Sequence, residues 1–131
     1  MALSNGTGGY QIGAGATDEA IMFVQGAPTA LTAAATATSA QLQNGLFTFV
    51  GTAGSLTLPT VALLEADMLS AQKVNSAFDF FIINTDDTDS VTLAVGTGWS
   101  IVGAAAVTTA TSGHFRARKT GDGTWTAYRI S

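Results

Sequence analysis

The distribution of apolar and polar residues is most regular in residues 77–99. This segment contains an apolar run interrupted by one carboxylate, Asp79, and its aromatic and β-branched residues favour a strand over a helix. Apolar side chains occupy both alternating faces of the run, with Phe78, Phe80 and Ile82 on one face and Phe81 and Ile83 on the other. A strand of this kind is covered on both sides, by a second layer or by another subunit. We therefore expect a central strand, an acidic loop, and a partner strand that returns over residues 91–95.

Shorter patterns on either side of this segment predict further strands and little helix. The predicted strands are residues 20–25, 46–50, 55–58, 99–102 and a short one around Val107. Residues 29–40 are predicted to be extended or loop. Residues 39–45 are predicted to form one helical turn with Ser39 as its N-cap and Gly45 as its end. Residues 61–69, capped by Thr60, form the one convincing helix.

Two hairpins are predicted from their turns. The tetrapeptide GTAG separates the strands at 46–50 and 55–58. Near the end of the chain, Asp122 and Gly123 lie between HFRARKT and TWTAYRI, and Asp-Gly is a preferred pair for a type I′ turn. Counting outward from this pair places Arg116 opposite Arg129. Two like charges directly opposite each other are destabilising, so this register calls for an acid nearby.

The strand pattern predicts an all-β fold. About seven to nine short strands with regular turn signals are typical of an antiparallel β-sandwich or jelly roll, here with one or two short helices. Residues 1–17 carry five glycines, and Tyr10 and Ile12 are the large apolar residues among them. This segment is either a frayed terminus or an extended N-terminal arm that orders against a neighbouring subunit through Tyr10 and Ile12. Residues 18–131 are predicted to form a single β-sandwich domain. No internal repeat is visible in the sequence.

Composition and charge narrow the function classes. Charged residues make up 11% of the chain, and alanine and threonine together about a third, so the surface suits packing against other protein. The net charge of −4 argues against nucleic-acid binding. The sequence has no apolar run long enough to span a membrane and no cysteine. Because the first residues also lack a signal-peptide pattern, we expect folding in a reducing cytoplasm.

Few residues offer catalytic or metal-binding chemistry. His114 is the one histidine, and no cysteine or second histidine accompanies it, so we expect it on the polar face of its strand rather than in catalysis. Asp86, Asp87 and Asp89 lie in a TDDTDS segment that faintly resembles a calcium loop. A solvated turn whose aspartates cap backbone groups is the favoured interpretation. We expect no enzyme activity, cofactor or metal.

The carboxylate of Asp79 is the most informative polar group, because it must be paired or partly exposed within its apolar strand. We hypothesise that Asp79, or an acid on another subunit, lies between Arg116 and Arg129. Trp99, Trp125 and Tyr128 offer two interpretations. Trp99 and Tyr128 belong to the core and Trp125 is half-exposed beside the arginines, or these rings stack on sugars as in lectin-like sandwiches.

Five segments give the chain a resemblance to a known family. They are residues 9–13 (GYQIG), 78–84 (FDFFIIN), 96–99 (GTGW), 112–118 (SGHFRAR) and 125–130 (WTAYRI). With these segments the chain resembles the small decoration or cement proteins of tailed bacteriophages, many of which have jelly-roll-like sandwiches. The resemblance implies a structural virion protein, made in the host cytoplasm and bound to the capsid exterior. It implies the major capsid protein as partner, and a homotrimer at three-fold positions or a dimer at two-folds.

The alternative function is a receptor- or carbohydrate-binding module of a head fibre or tail spike. It predicts an exposed Trp99 or Trp125 around a concave site. For the decoration function, we expect contact with other subunits through seven residues: Tyr10, Ile12, Asp79, Arg116, Arg118, Trp125 and Arg129.

Overall fold

Ten strands and two short helices make up the part of the chain that the computed structural model describes, which is residues 22–68 and 73–131. The strands are β1 (Thr29–Leu31), β2 (Ala35–Thr36), β3 (Leu46–Phe49), β4 (Gly54–Thr57), β5 (Ala77–Asn84), β6 (Val91–Ala94), β7 (Trp99–Val102), β8 (Ala106–Val107), β9 (Ser112–Gly121) and β10 (Thr124–Arg129). The helices are α1 (Ser39–Asn44) and α2 (Val61–Asp67). The protein is therefore β-rich, as its aromatic and β-branched runs predict.

The strands form two mixed sheets, and the chain changes sheet after almost every strand. The six-stranded sheet has the order β1-β3-β5-β9-β10-β7, and the four-stranded sheet has the order β2-β4-β6-β8. Five strand pairs are parallel and three are antiparallel, so the expected antiparallel arrangement is wrong. After an excursion to the other sheet, each of the strands β3, β4, β5 and β6 returns beside its predecessor in the same direction, which makes these four pairs parallel.

Two predicted strand pairings do not form. Strands β3 and β4 lie in different sheets, and so do β5 and β6, although each strand itself is where the sequence places it. Instead, the residue after β3 and the residue after β5 each donate a backbone hydrogen bond to the preceding strand of the six-stranded sheet. Val50 N–H donates to the Leu31 carbonyl at 3.0 Å, and Thr85 N–H donates to the Phe49 carbonyl at 2.9 Å. These bonds use backbone groups that a hairpin ladder would otherwise have satisfied.

The first six strands form three successive coils, each with one strand in either sheet. Thr29, Phe47 and Ile82 stack in the six-stranded sheet, so one step is 18 residues and the next is 35 residues. The longer step contains α2 and the residues after it. Because the steps differ so much in length, the repeat that exists in space leaves no fixed period in the sequence.

Both helices begin at threonine caps. Thr38 and Gln41 form a reciprocal capping box at α1, and Gly45 ends this helix at a left-handed φ of 77°, as predicted. Ser39 is not the N-cap, because it lies one residue inside the helix and its hydroxyl donates to the Asp67 carboxylate at the end of α2. Helix α2 begins after its predicted cap and ends at Asp67 rather than at residue 69.

One hydrophobic cluster draws on both sheets and both helices. Its largest fully buried side chains are Trp125, Phe47, Phe49, Phe80, Phe115, Leu42, Leu56, Leu58, Leu64, Ile82, Leu93 and Val61. The rings of Phe80 and Phe115 stack with centroids 5.3 Å apart across β5 and β9. The inward residues of the six-stranded sheet thus join those of the four-stranded sheet in a common core.

The last hairpin forms around Asp122 and Gly123 as predicted, but its register differs from the predicted one. A bulge between Thr124 and Trp125 shifts β10 by one residue, so that Arg116 lies opposite Tyr128 and Arg129 lies opposite Phe115. The predicted pairing of Arg116 with Arg129 is therefore wrong. The shift turns the Trp125 indole into the core.

Residues 20–25 were expected to form a strand, and the described part of this segment is not one. Residues 22–28 belong to no helix or strand, and the side chains of Met22, Phe23 and Val24 are 82%, 83% and 99% exposed. Residues 1–21, with the predicted arm and its anchors Tyr10 and Ile12, lie outside the described part.

A buried ion pair fastens α2 to the last hairpin. Lys119 is 5% exposed on the inward face of β9, and its ammonium group contacts the Glu65 carboxylate. The Trp125 indole N–H donates to the same carboxylate at 2.9 Å. These two donors, the Lys119 bond first, lower the pKa of Glu65. A cation this deeply placed depends on its partner, because an unpaired charge in the core is costly.

We expect Glu65→Ala to lower the free energy of unfolding by about 2–4 kcal/mol, because it leaves the Lys119 ammonium buried without its carboxylate. Urea denaturation at pH 7 measures the change. The matched control is Asp87→Ala, which removes an exposed carboxylate and is expected to have little effect. Equal stability of the two variants would show that the buried pair does not hold α2 in place.

Candidate functional site

The surface of the six-stranded sheet that points away from the core is the candidate functional site, and we call it the outer face. Side chains alternate along a strand, so each inward residue of β5, β9 and β10 is flanked by outward ones. The outward residues are Ala77, Asp79, Phe81 and Ile83 on β5, Ser112, His114, Arg116 and Arg118 on β9, and Thr126 and Tyr128 on β10. In-register pairs align them in rows across the strands.

One half of the outer face, formed by Leu46, Phe81 and Ile83, is apolar, and we call it the apolar half. Phe81 and Ile83 are 40% and 38% exposed, whereas Phe80 and Ile82 on the inward side of the same strand are fully buried. Leu46 on β3 lies opposite Phe81. The strand is apolar on both faces, but within the described residues the single chain covers one of them. Residues 22–68 and 73–131 therefore do not supply the expected cover on the second face.

The other half, around Asp79, Arg116 and Arg118, carries an ion pair, and we call it the charged half. Arg116 donates to both carboxylate oxygens of Asp79, from Nε at 2.6 Å and from Nη2 at 3.0 Å. His114 Nε2 lies 3.1 Å from Asp79 Oδ2, and its ring stacks on Phe81 with centroids 4.4 Å apart. The Arg116 hydrogen bonds, aided by nearby His114, lower the pKa of Asp79 to about 2. Asp79 is thus an ionised carboxylate in the middle of the sheet surface.

Arg118 extends this charged half without an acid of its own. Its Nε and Nη2 donate to the Tyr128 hydroxyl at 3.0 and 2.6 Å, and its Nη1 donates to Asn75 Oδ1 at 2.7 Å. Both partners are neutral. Across residues 22–68 and 73–131, no carboxylate lies within ion-pair distance of this guanidinium. The two positive charges of Arg116 and Arg118 exceed the single negative charge of Asp79, so the outer face is net cationic.

The predicted acid between two arginines is half confirmed. Asp79 binds Arg116, but Arg129 lies on the opposite face of the sheet, because the bulge in the last hairpin shifts the register and places Arg129 opposite Phe115. Its guanidinium donates to the carbonyls of Ala104 and Ala106 and lies over the Phe115 ring, with Cζ 5.1 Å from the centroid. Arg129 therefore ties β10 to the segment around β8 rather than contributing to the outer face.

Trp125 and Trp99 are both buried, at 1% and 7% exposure. The prediction that Trp125 is half-exposed is wrong, since its indole faces Glu65 in the core. Trp99 belongs to the core as predicted, and its indole N–H donates to the Pro59 carbonyl at 2.8 Å. Tyr128 was also expected in the core but lies on the outer face. Neither tryptophan presents a ring on which a sugar could stack.

The acidic loop after β5 is a structural cap. The Asp86 carboxylate accepts hydrogen bonds from the N–H groups of Thr88, Asp89 and Gly51, and these bonds lower its pKa to about 2. No group of three or more histidine, aspartate or glutamate side chains in the described ranges could hold a metal ion. For Asp86 the structure confirms the favoured interpretation, a turn in which an aspartate caps backbone groups.

Asn84 is a structural residue that the sequence did not reveal. It is 2% exposed, and its amide donates to the carbonyls of Asp89, Val107 and Thr108, while its side-chain oxygen accepts from Asp86 N–H. This network joins the end of β5 to β8 in the other sheet. An asparagine after an apolar strand gives no signal of such a role, because its partners come from loops that are distant in sequence.

We expect Asp79→Asn to lower the free energy of unfolding at pH 7 by about 0.5–1 kcal/mol, since the ion pair is partly exposed. The folded pKa of about 2 lies below the unfolded value of 3.8, so this contribution is present above pH 4 and is lost as the pH falls toward 2. Urea denaturation across this range tests the expectation. A stability difference that is absent at pH 7, or that grows in acid, would contradict it.

We expect Asp86→Ala to melt at a lower temperature than the wild type at pH 7, because three backbone N–H groups lose their acceptor. The folded pKa of about 2 is again below 3.8, so the difference is expected to narrow as the pH falls through this interval. Calorimetry with and without added calcium completes the test. A wild-type melting temperature that rises with calcium would contradict the structural role of the loop.

No family model, curated protein or solved structure matches the chain. No helix in the described ranges is long and apolar enough to cross a membrane.

Proposed function

We propose that the protein is a structural virion protein that binds the outer surface of a bacteriophage capsid and stabilises the coat-protein lattice. The observation that carries the proposal is the outer face, where exposed Phe81 and Ile83 lie beside the Asp79–Arg116 pair. Apolar residues that are rimmed by polar ones mark surfaces that bind other proteins. The resemblance of five segments to phage decoration proteins supplies the kind of partner.

The charges of the outer face suggest what the coat surface contributes. Arg118 bonds to neutral groups and has no carboxylate within ion-pair distance among the described residues. A carboxylate on the partner would give this guanidinium a charged partner, and arginine is enriched in protein interfaces for this geometry. We therefore place the coat contact on the charged half of the outer face, around Arg116, Arg118 and Tyr128.

We also infer that the two sheets are the layers of a β-sandwich. The common hydrophobic cluster supports this, because its members come from the inward sides of both sheets. A two-layer protein presents a broad sheet surface that can lie against a shell. A homotrimer at three-fold positions, or a dimer at two-folds, would repeat that contact, and several modest contacts made together bind far more tightly than one.

A carbohydrate-binding module remains the alternative function, but no observation favours it. That function requires an exposed aromatic ring at a concave site, and the tryptophans suited to it are in the core.

The test is to add purified protein back to capsids that lack it. We expect saturable binding in a fixed ratio to coat subunits and a higher melting temperature of the shell. Arg118→Glu reverses the charge at the proposed contact and is expected to weaken binding about tenfold or more. Lys73→Glu is the charge-matched control, because Lys73 is exposed in the turn before β5 and not on a strand of the outer face.

Binding without a fixed ratio, or no binding, would reject the decoration function. If Arg118→Glu and Lys73→Glu bind equally well, the coat contact lies on another surface. A glycan array serves as the counter-test, since specific sugar binding by the wild type would favour the alternative function.

A further inference from the structure

The described part of the chain begins with three consecutive large apolar residues that no other described residue buries. Met22, Phe23 and Val24 are 82%, 83% and 99% exposed, whereas the most exposed large apolar residue on a strand, Val102, is 54% exposed. Large apolar side chains exposed singly are ordinary, but three in succession on extended backbone are not. The sequence places 21 further residues before them, so the segment is an internal part of the chain and not its end.

The base of this segment is fixed. Gln25 donates to the Asn44 carbonyl at 2.8 Å, and the Asn44 side chain donates to the Ala27 carbonyl at 3.0 Å. Residues 25–27 are therefore held at the end of α1, while residues 22–24 project from that point into solvent. Among residues 22–68 and 73–131 of a single copy these three side chains stay exposed, and a second molecule can bury them.

The same chain carries a surface of matching chemistry. The apolar half of the outer face consists of Leu46, Phe81 and Ile83, and Ile130 beside it is 51% exposed. The charged half next to it is net cationic, and Asp18 and Glu19 precede the exposed segment in the sequence. An apolar segment that follows two carboxylates complements an apolar surface that borders two arginines.

We infer that residues 22–24 of one copy dock on the apolar half of the outer face of a second copy. This rests on the proposed function in treating the outer face as a protein-binding surface, and it names a second copy as the partner of one half. Each copy then supplies one docking segment and one docking surface. Repeated head to tail, such a contact forms a ring such as a trimer when the rotation between copies closes, and two copies that exchange segments reciprocally form a two-fold dimer.

Sedimentation velocity of the purified full chain, without capsids, gives the first test. We expect a discrete oligomer for the wild type, and weakening of association by about 30-fold or more for Phe23→Ser or Ile83→Ser, since each removes a central apolar contact. Leu63→Ser is the matched control, because Leu63 is 59% exposed on α2 and belongs to neither docking element. Thermal melting confirms that each variant is folded.

Mixing the two weakened variants gives a sharper result. Phe23→Ser retains its docking surface and Ile83→Ser retains its docking segment, so an equimolar mixture can form one intact contact and is expected to yield a heterodimer.

The chain contains no cysteine, so Phe23→Cys mixed with Ile83→Cys is expected to form a disulfide-linked dimer on mild oxidation. The pair Phe23→Cys with Leu63→Cys is expected to form far less.

A monomeric wild type, an unweakened Phe23→Ser variant or equal cross-linking of the two cysteine pairs would each overturn the inference. Cross-linking within one molecule of a Phe23→Cys, Ile83→Cys double variant, without dimers, would overturn it by showing that the segment folds onto its own sheet. These outcomes are independent of the capsid. Self-association without capsid binding would reject the proposed function alone, and capsid binding by a monomer would reject the inference alone.

Discussion

The backbone ladders on either side of β5 are the constraint on which the rest of the structure depends. This strand pairs in parallel with β3, the strand of the preceding coil, and antiparallel with β9, the first strand of the last hairpin. Its register is fixed because Phe80 and Ile82 are fully buried. A slip by one residue would turn Asp79 and Phe81 into the core and every inward side chain out. The register that buries Phe80 and Ile82 therefore also determines which side chains of β5 form the outer face.

Local elements could be predicted from the sequence, but their pairing could not. The glycine that ends α1 and the Asp122-Gly123 turn act within a few residues, so the sequence marks them directly. Parallel pairing has no turn of its own, and the GTAG segment, which suits a hairpin, in fact connects two sheets. Gly51 in that segment has a φ of 147° and lies against the Thr32 carbonyl, a contact that a side chain would block. The glycine at this position therefore lets the backbones of two neighbouring coils approach each other.

The candidate site could be predicted in part for the same reason. A carboxylate inside an apolar strand needs a partner wherever the strand goes, and that requirement pointed from Asp79 to the arginines of the last hairpin. Which arginine it binds depends on a bulge that the sequence does not signal, and the bulge selects Arg116. The Lys119–Glu65 pair stayed hidden, because the two residues are 54 positions apart and neither looks unusual in its own segment.

The lengths of the strands decide how such a protein can associate. The edge strands β1, β2, β7 and β8 have two to four residues each, whereas β5 and β9 in the centre of the larger sheet have eight and ten. Short edges offer few free backbone groups to a further strand, which limits edge-to-edge pairing. The central strands instead present side chains across several residues of sheet. For the self-association that we propose, contact through side chains on the outer face is therefore favoured over extension of the sheets.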